Sequence, residues 1–233
     1  MKVLRSMVLL SAVAFFASVA QQVNAVTYPD STGDLFNNSF GHLDITSVEV
    51  NNNATDLILK INLNGNPIAV DWGKYMVAID SVPGGDTTGN GWARPISMSS
   101  GMDYWVGSWV DSGNGIELWK YTGSWSLTNA SYAYPQSLAI SKDSSSVTLT
   151  VPLASMGLSV GNVFDFDVYT SGGGSGDSAV DALANPTMSI SDWPGPYNST
   201  LKDTYTVIPE PSTCMLVAVG GLMLVGGLFR RKA

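Results

Sequence analysis

The chain has 233 residues, of which 45% are hydrophobic and only 13% charged, with 24 glycines and a formal net charge of −8. This composition argues against a helical bundle, because helix surfaces rely on Glu, Lys and Arg whereas Gly, Asn, Ser and Thr favour turns and strands. The single cysteine excludes a disulfide framework and a cysteine-rich zinc site. We therefore expect a β-rich body, flanked at each end by a hydrophobic segment.

Residues 1–25 have the pattern of a secretory signal peptide. Lys2 and Arg5 form the positive start, residues 7–19 the apolar stretch, and residues 23–25 (Val-Asn-Ala) the small-residue cleavage site. This pattern predicts export across the inner membrane by the Sec machinery. The alternative is a permanent N-terminal anchor, but the apolar stretch is short for that role and polar residues follow it.

Residues 26–207 are predicted to form one domain once the two ends are set aside. This body carries 6 basic residues against 18 acidic ones, and all but 2 of the acidic residues are Asp. Such a charge argues against nucleic acid as a partner. Asp is common in turns, but the excess also suits Ca²⁺, which takes several oxygen ligands from flexible loops.

Short strands separated by turn signals recur along this body. Leu57, Leu59, Ile61 and Leu63 alternate with polar residues, which is typical of a half-buried strand. Strands are predicted at residues 44–50, 57–63, 75–80, 103–110, 116–121, 138–141, 146–151 and 163–170. A helical turn is predicted within residues 152–158. This order indicates an all-β fold, a single antiparallel β-sandwich of jelly-roll type.

Seven tryptophans lie in the body, and flat aromatic faces can stack on sugar rings. Trp105 and Trp109 are four residues apart on one predicted strand and so share a face. If that face points outward the two rings form a platform, and if it points inward they belong to the core. Trp92 follows a glycine-rich loop (residues 84–91) and is the stronger candidate for ligand contact.

Arg94 is the only arginine of the body and lies two residues after Trp92. A guanidinium beside an indole can donate hydrogen bonds to sugar hydroxyls or carboxylates while the ring stacks on the sugar. The alternative is that Arg94 pairs with a neighbouring Asp as a structural clamp.

Two groups of aspartates are candidate calcium ligands. Asp30, Asp34 and Asp44 lie near the first predicted strands, and Asp177 and Asp181 follow a second glycine-rich loop. Ca²⁺ needs six to eight oxygen ligands, and loop carbonyls can complete the set. The alternative for each of these residues is a solvated turn aspartate.

Three segments of the body resemble parts of a known class of domain. They are residues 28–34 (Tyr-Pro-Asp-Ser-Thr-Gly-Asp), residues 42–45 (His-Leu-Asp-Ile) and the strand at residues 164–169. The region 27–207 resembles DOMON-like and family 9 carbohydrate-binding-module-like sandwiches. The resemblance implies a ligand-binding or adhesive module, often supported by calcium, and no catalysis. His42, the only histidine, is expected to be structural, and the chain lacks a Gly-x-Ser-x-Gly nucleophile elbow.

The C-terminal segment (residues 208–233) combines Pro209-Glu210-Pro211, an apolar run over residues 214–229 and a terminal Arg-Arg-Lys cluster. The run reaches about 24 Å as a helix, less than the ~30 Å hydrocarbon core. Because cations stay on the cytoplasmic side, the body is expected outside, in agreement with the signal peptide.

This order of parts resembles the PEP-CTERM sorting signal of Gram-negative bacteria. The resemblance implies that a membrane-embedded exosortase cleaves near the Pro-Glu-Pro motif and releases or relocates the protein. A GPI signal is the rival interpretation, because Asn37, Asn53, Asn129 and Asn198 lie in Asn-x-Ser/Thr sequons. GPI tails usually end in apolar residues, whereas this chain ends in a basic cluster.

Taken together, the sequence predicts an exported protein of the cell surface or extracellular matrix, whose β-sandwich binds an extracellular polysaccharide. Two alternatives stay open. A glycan-active enzyme needs only two carboxylates, and the chain has many. A purely structural matrix protein needs no discrete site.

Overall fold

The computed structural model describes residues 25–111, 113–133, 137–187 and 189–209. Regular structure in these ranges is mostly β, which confirms the predicted all-β class. A four-residue α-helix covers Pro67–Val70, and 3₁₀ segments cover Asn38–Leu43 and Leu153–Met156. The third of these is the helical turn predicted within residues 152–158.

The strands follow one another closely along the described part of the chain. They are β1 (Val26–Pro29), β2 (Ile45–Asn52), β3 (Asp56–Leu63), β4 (Lys74–Asp80), β5 (Ile96–Met98), β6 (Tyr104–Trp109), β7 (Gly115–Tyr121), β8 (Trp125–Ala130), β9 (Ala139–Lys142), β10 (Ser146–Pro152), β11 (Val163–Ser171), β12 (Asp181–Ala182), β13 (Tyr197–Ser199) and β14 (Asp203–Thr206).

The predicted signal peptide and the predicted sorting helix lie outside the described residues, as do Glu210 and Pro211. Pro209 is the last residue described and is exposed. Among the helices of the described ranges, none has the length and apolar character needed to cross a membrane.

The first sheet has the order β1-β2-β3-β10-β9 and is antiparallel throughout. Its central strand β3 shows the alternation that the sequence predicted, because Leu57, Leu59, Ile61 and Leu63 are all buried. These side chains face the same way, toward the core.

The second sheet has the order β12-β11-β4-β6-β7-β8, and β14 also pairs with β11. The strand register places Val77, Val106 and Leu118 on one face. These three residues belong to one buried apolar cluster that also contains the inward side chains of the first sheet. Two antiparallel sheets that share such a core are consistent with a β-sandwich.

The other face of the second sheet is half covered by a third layer. Its strands β5 and β13 pair in parallel and form a separate two-stranded sheet beside the two antiparallel ones. The layer packs on β11, where Tyr197 contacts Tyr169 with ring centroids 6.0 Å apart and Ser199 Oγ donates to Asp167 Oδ2 at 2.6 Å. Beyond this layer the outer face of β6, β7 and β8 carries partly exposed aromatic residues.

Candidate functional site

An open cleft of about 390 Å³ lies where the third layer ends on the outer face of the second sheet. It brings together Trp92, Arg94 and Trp109, which the sequence analysis had selected as candidate ligand-binding residues. Its lining residues are Lys74, Trp92, Arg94, Trp109, Asp111, Glu117, Gly173 and Ser175.

The position of Trp92 is fixed by a short loop that folds around a buried amide. Asn90 Oδ1 accepts from the backbone N–H of Trp92 at 3.0 Å, and its Nδ2 donates to the carbonyls of Arg94 and Ile96. The indole then packs against Gly107 of β6, where an added Cβ would sit only 2.3 Å from ring carbons. A glycine is therefore required at position 107 for this close approach.

Glu117 on β7 links the aromatic side chains of the cleft. Its Oε2 accepts from Trp92 Nε1 at 2.7 Å and from Trp119 Nε1 at 2.9 Å, while Tyr132 donates its hydroxyl to Oε1. The carboxylate thus orients two indoles and one phenol at once. Glu117 was not predicted as a site residue, although it is one of only 2 Glu in the predicted domain, the other being Glu49.

Trp105 and Trp109 share a face of β6, as predicted, but they have different surroundings. Trp109 is partly exposed in the cleft and packs on Gly115, where an added Cβ would lie 1.9 Å from the ring. Trp105 is fully buried, stacked on Tyr169 at 6.0 Å and covered by the edge of Trp92 at 6.4 Å. Trp105 therefore belongs to the core, the second of the two alternatives, and its assignment as a ligand-binding residue is wrong because Tyr169 and Trp92 cover its ring.

Arg94 is 6% exposed and acts as a clamp on the backbone. Its Nη1 donates to Ser171 Oγ at 2.7 Å and to the carbonyl of Asp177 at 3.0 Å, and Nη2 donates to the carbonyl of Gly172 at 3.2 Å. Within the described residues no carboxylate forms a salt bridge with Arg94. The clamp alternative is thus observed with carbonyl and hydroxyl acceptors in place of an Asp side chain.

The clamp also orders the indole and the glycine loop relative to each other. The Arg94 guanidinium lies 5.5 Å from the centre of the Trp92 ring, within the range of a cation–π contact. Burial lowers the pKa of Arg94 from its ordinary value, while the nearby charge of Asp177 opposes this change. The side chain stays protonated at neutral pH because its ordinary pKa is so high.

Lys74 and Asp111 form an ion pair at the rim of the cleft, with Nζ and Oδ1 2.7 Å apart. Partial burial raises the pKa of Asp111, but the hydrogen bond and charge of Lys74, a backbone hydrogen bond and the charge of Lys142 together outweigh burial, so the net pKa shift is downward. The cleft therefore presents aromatic faces between hydrogen-bonding groups whose charges largely offset one another.

A separate acidic cluster lies at the start of β2. The carboxylate oxygens of Asp34, Asp44 and Asp181 lie within 4.8 Å of one another. Asp44 accepts from Gly33 N and Asn64 Nδ2, and Asp181 Oδ2 accepts from Ile45 N at 2.6 Å. Pairing of β12 with β11 brings Asp181 here, so it does not group with Asp177 as the sequence analysis expected.

Burial disfavours the ionised forms of Asp34 and Asp181 in this cluster and of the neighbouring Asp30. Burial raises the pKa of Asp30 to about 8, with further increases from Asp34, Asp167 and Asp44. Burial likewise raises the pKa of Asp181 well above its ordinary value and that of Asp34 to a smaller extent. Asp30 Oδ2 and both Asp34 oxygens are buried without a hydrogen-bond partner among the described residues.

Asp177 and His42 have structural roles, Asp177 through a hydrogen bond that closes a loop and His42 through aromatic packing. Asp177 Oδ2 accepts from Gly174 N at 2.8 Å and so closes the glycine loop beside the cleft. His42 is 3% exposed and packs against Trp72, with ring centroids 4.3 Å apart. Burial lowers the pKa of His42 to about 4, which keeps the imidazole neutral at physiological pH.

Comparison of the chain with models of protein families gave no match, and comparison with curated proteins also gave none.

Proposed function

We propose that the chain is an exported, exosortase-processed protein of the cell surface or extracellular matrix, whose β-sandwich binds a glycan in the cleft at Trp92 and Trp109. The observation that carries this proposal is the cleft itself. Two partly exposed indoles pack closely against glycines of the sheet, so their rings are held in place before any ligand arrives. Rigid aromatic faces cost little conformational entropy on binding.

Polar groups around the rings support a sugar ligand over a purely apolar one. Lys74, Asp111 and Ser175 line the same cleft and offer donors and acceptors for hydroxyl groups. Binding without cleavage is the activity we propose. Glu117, the carboxylate nearest the rings, has both oxygens engaged by protein donors, which suits orientation of the rings better than proton transfer.

Calcium is the cation we propose for the acidic cluster. Asp34, Asp44 and Asp181 would supply carboxylate oxygens, with Asp30 close by. The fit is supported by the buried Asp30 and Asp34 oxygens that have no hydrogen-bond partner in the described part of the chain, because a hard divalent cation satisfies such oxygens and removes the mutual repulsion. Bound Ca²⁺ would join β1 and β2 to β12 and so stabilise the sandwich.

The remaining parts of the proposal concern sorting and topology. Residues 1–25 direct export, the helix predicted at 214–229 anchors the chain transiently, and exosortase cleaves near Pro209-Glu210-Pro211.

We further propose that the sandwich is of jelly-roll type. The described domain ends at Ile208, whose N–H and C=O are both bonded to the Asn52 side chain, so the chain leaves the domain from a fixed point.

A glycan array tests the binding proposal, using the exported domain with and without a calcium chelator. We expect saturable binding that Trp92→Ala abolishes and that the control Gly176→Ala leaves unchanged, because Gly176 has no heavy atom within 4 Å of an added Cβ. Binding that survives Trp92→Ala would contradict the site. Turnover of a bound polysaccharide would support the enzyme alternative, and neither binding nor turnover would support the structural one.

The calcium proposal is tested by thermal unfolding. Ca²⁺ at about 100 times its Kd should stabilise the wild-type domain by about 2.7 kcal/mol, because it binds only the folded state. The variant Asp34→Asn should lose most of this increase in Tm. An equal increase in wild type and variant, or none in wild type, would contradict the assignment.

A further inference from the structure

We infer that the binding surface extends beyond the cleft as an aromatic band, and that it takes a linear, uncharged glycan chain over several sugar rings. The band consists of Trp109, Trp92, Trp119 and Trp125. This inference rests on the proposed function and adds the class of ligand to it: an internal stretch of a polysaccharide, as opposed to a single sugar or a chain end.

Strand register places the three strand members of the band, Trp109, Trp119 and Trp125, on one face of the sheet. Trp119 of β7 lies opposite Trp105 of β6, and Tyr121 of β7 lies opposite Trp125 of β8. Directly opposed residues of antiparallel strands point to the same side of a sheet. The outer face that carries Trp109 therefore also carries Trp119 and Trp125, and each of these side chains is partly exposed.

The members of the band are connected to one another by contacts. Trp109 lies 6.4 Å from Trp92, and Trp92 shares the Glu117 carboxylate with Trp119. At the far end Trp125 contacts Tyr121 at 5.5 Å, and its indole N–H donates to Asp86 Oδ2 at 2.8 Å. Carboxylates thus hold three of the indoles by their N–H groups, which fixes the orientation of the rings.

The length of the band follows from β7, which runs beneath it. Trp109 packs on Gly115 at one end of β7, and Trp125 packs on Tyr121 at the other. Strand β7 has 7 residues, so these ends are about 20 Å apart at a rise of about 3.4 Å per residue. A single sugar ring is far shorter than this span, so full occupancy requires several consecutive rings.

The charge of the surface selects an uncharged chain. Glu117 and Asp86 lie along the band. Among the described residues that line its cleft end, the two cations are the buried Arg94 and Lys74, and Lys74 is paired with Asp111. The predicted domain carries 18 acidic residues against 6 basic ones. An anionic polysaccharide is therefore repelled, whereas a neutral one is not.

Calorimetry with a size series tests the inference. The probe is the strongest-binding glycan of the array, fractionated from disaccharide to hexasaccharide and titrated into the whole domain. We expect affinity to rise by about tenfold across the series, equivalent to about 1.4 kcal/mol. Trp125→Ala should remove this gain for the hexasaccharide and leave disaccharide binding unchanged, while Trp92→Ala weakens both.

Ser126→Ala is the matched control, because Ser126 is the exposed neighbour of Trp125 whose side chain points to the other face of β8. It should bind every oligosaccharide as the wild type does. Equal affinity across the size series would contradict the extended band. A Trp125→Ala variant with full hexasaccharide affinity and wild-type Tm would contradict it as well. Neither result would contradict binding in the cleft. Preference for an anionic glycan overturns the charge argument. Absence of binding to any glycan overturns the proposed function as well.

Discussion

Replacing Gly107 by alanine should disrupt the cleft although no side chain that contacts the ligand is itself replaced. A Cβ at this position would lie 2.3 Å from Cε2 and Cζ2 of Trp92. Carbon atoms pack at about 3.6 Å, so the indole must move outward by about 1.3 Å. Such a shift breaks the 2.7 Å hydrogen bond from Trp92 to Glu117. Gly107 has no positive φ, so the backbone itself accepts alanine.

The cost of this substitution combines overpacking with the loss of a charge-assisted hydrogen bond. Each is worth about 1–3 kcal/mol, and part is recovered as the ring relaxes toward solvent and the unfolded chain becomes less flexible. We expect a net loss of about 2 kcal/mol, which corresponds to a decrease in Tm of about 4–8 °C for a domain of this size.

Urea denaturation and glycan titration measure the two consequences together. Gly107→Ala should unfold at lower urea and bind glycan at least about tenfold more weakly. Gly176→Ala should match the wild type in both assays, because its added Cβ meets no atom within 4 Å. If Gly107→Ala binds glycan as tightly as the wild type, the packing of Trp92 against Gly107 does not create the site.

Two further substitutions test buried polar groups. Burial raises the pKa of Asp167 to about 7, so its contribution to stability is full below about pH 4 and is lost as pH rises through 7. Asp167→Asn, whose amide can donate to Ser199 Oγ, should flatten this decrease in pH-dependent urea unfolding, and an unchanged profile would contradict the assignment. Asn52→Leu leaves the Tyr205 hydroxyl and both backbone groups of Ile208 without their partner. It should cost about 2–4 kcal/mol, and a loss below about 0.5 kcal/mol would contradict a stabilising role for the Asn52 hydrogen bonds.

Local pattern was sufficient to predict the sandwich strands with clear alternation. Strand β3 is one such case, because every second residue from Leu57 to Leu63 is apolar and buried. Strands β1, β5, β8, β12, β13 and β14 were not predicted. All of them except the six-residue β8 have only two to four residues, and β5 and β13 gain their hydrogen bonds from distant partners, as in the pairing of Tyr197 with Ile96.

The candidate site was predicted only in part, for a related reason. An indole beside an arginine after a glycine-rich loop is a local signal, and it pointed to Trp92 and Arg94, which both line the cleft. The role of Glu117 depends on its register opposite Gly107, which is a non-local property. On the strand alone it has the pattern of an outward polar residue. Likewise Asp181 reaches Asp34 and Asp44 only because β12 pairs with β11.

Indole resonances in ¹⁵N–¹H NMR spectra offer the most direct test of the central claim, that the partly exposed tryptophans of the cleft contact sugar. On titration with the array glycan, the Nε1–H signals of Trp92 and Trp109 should shift together and saturate at one affinity. The signal of Trp105, fully buried beneath Trp92, should move far less. A bound glycan that leaves Trp92 and Trp109 unshifted, and moves other indoles in their place, would contradict the account.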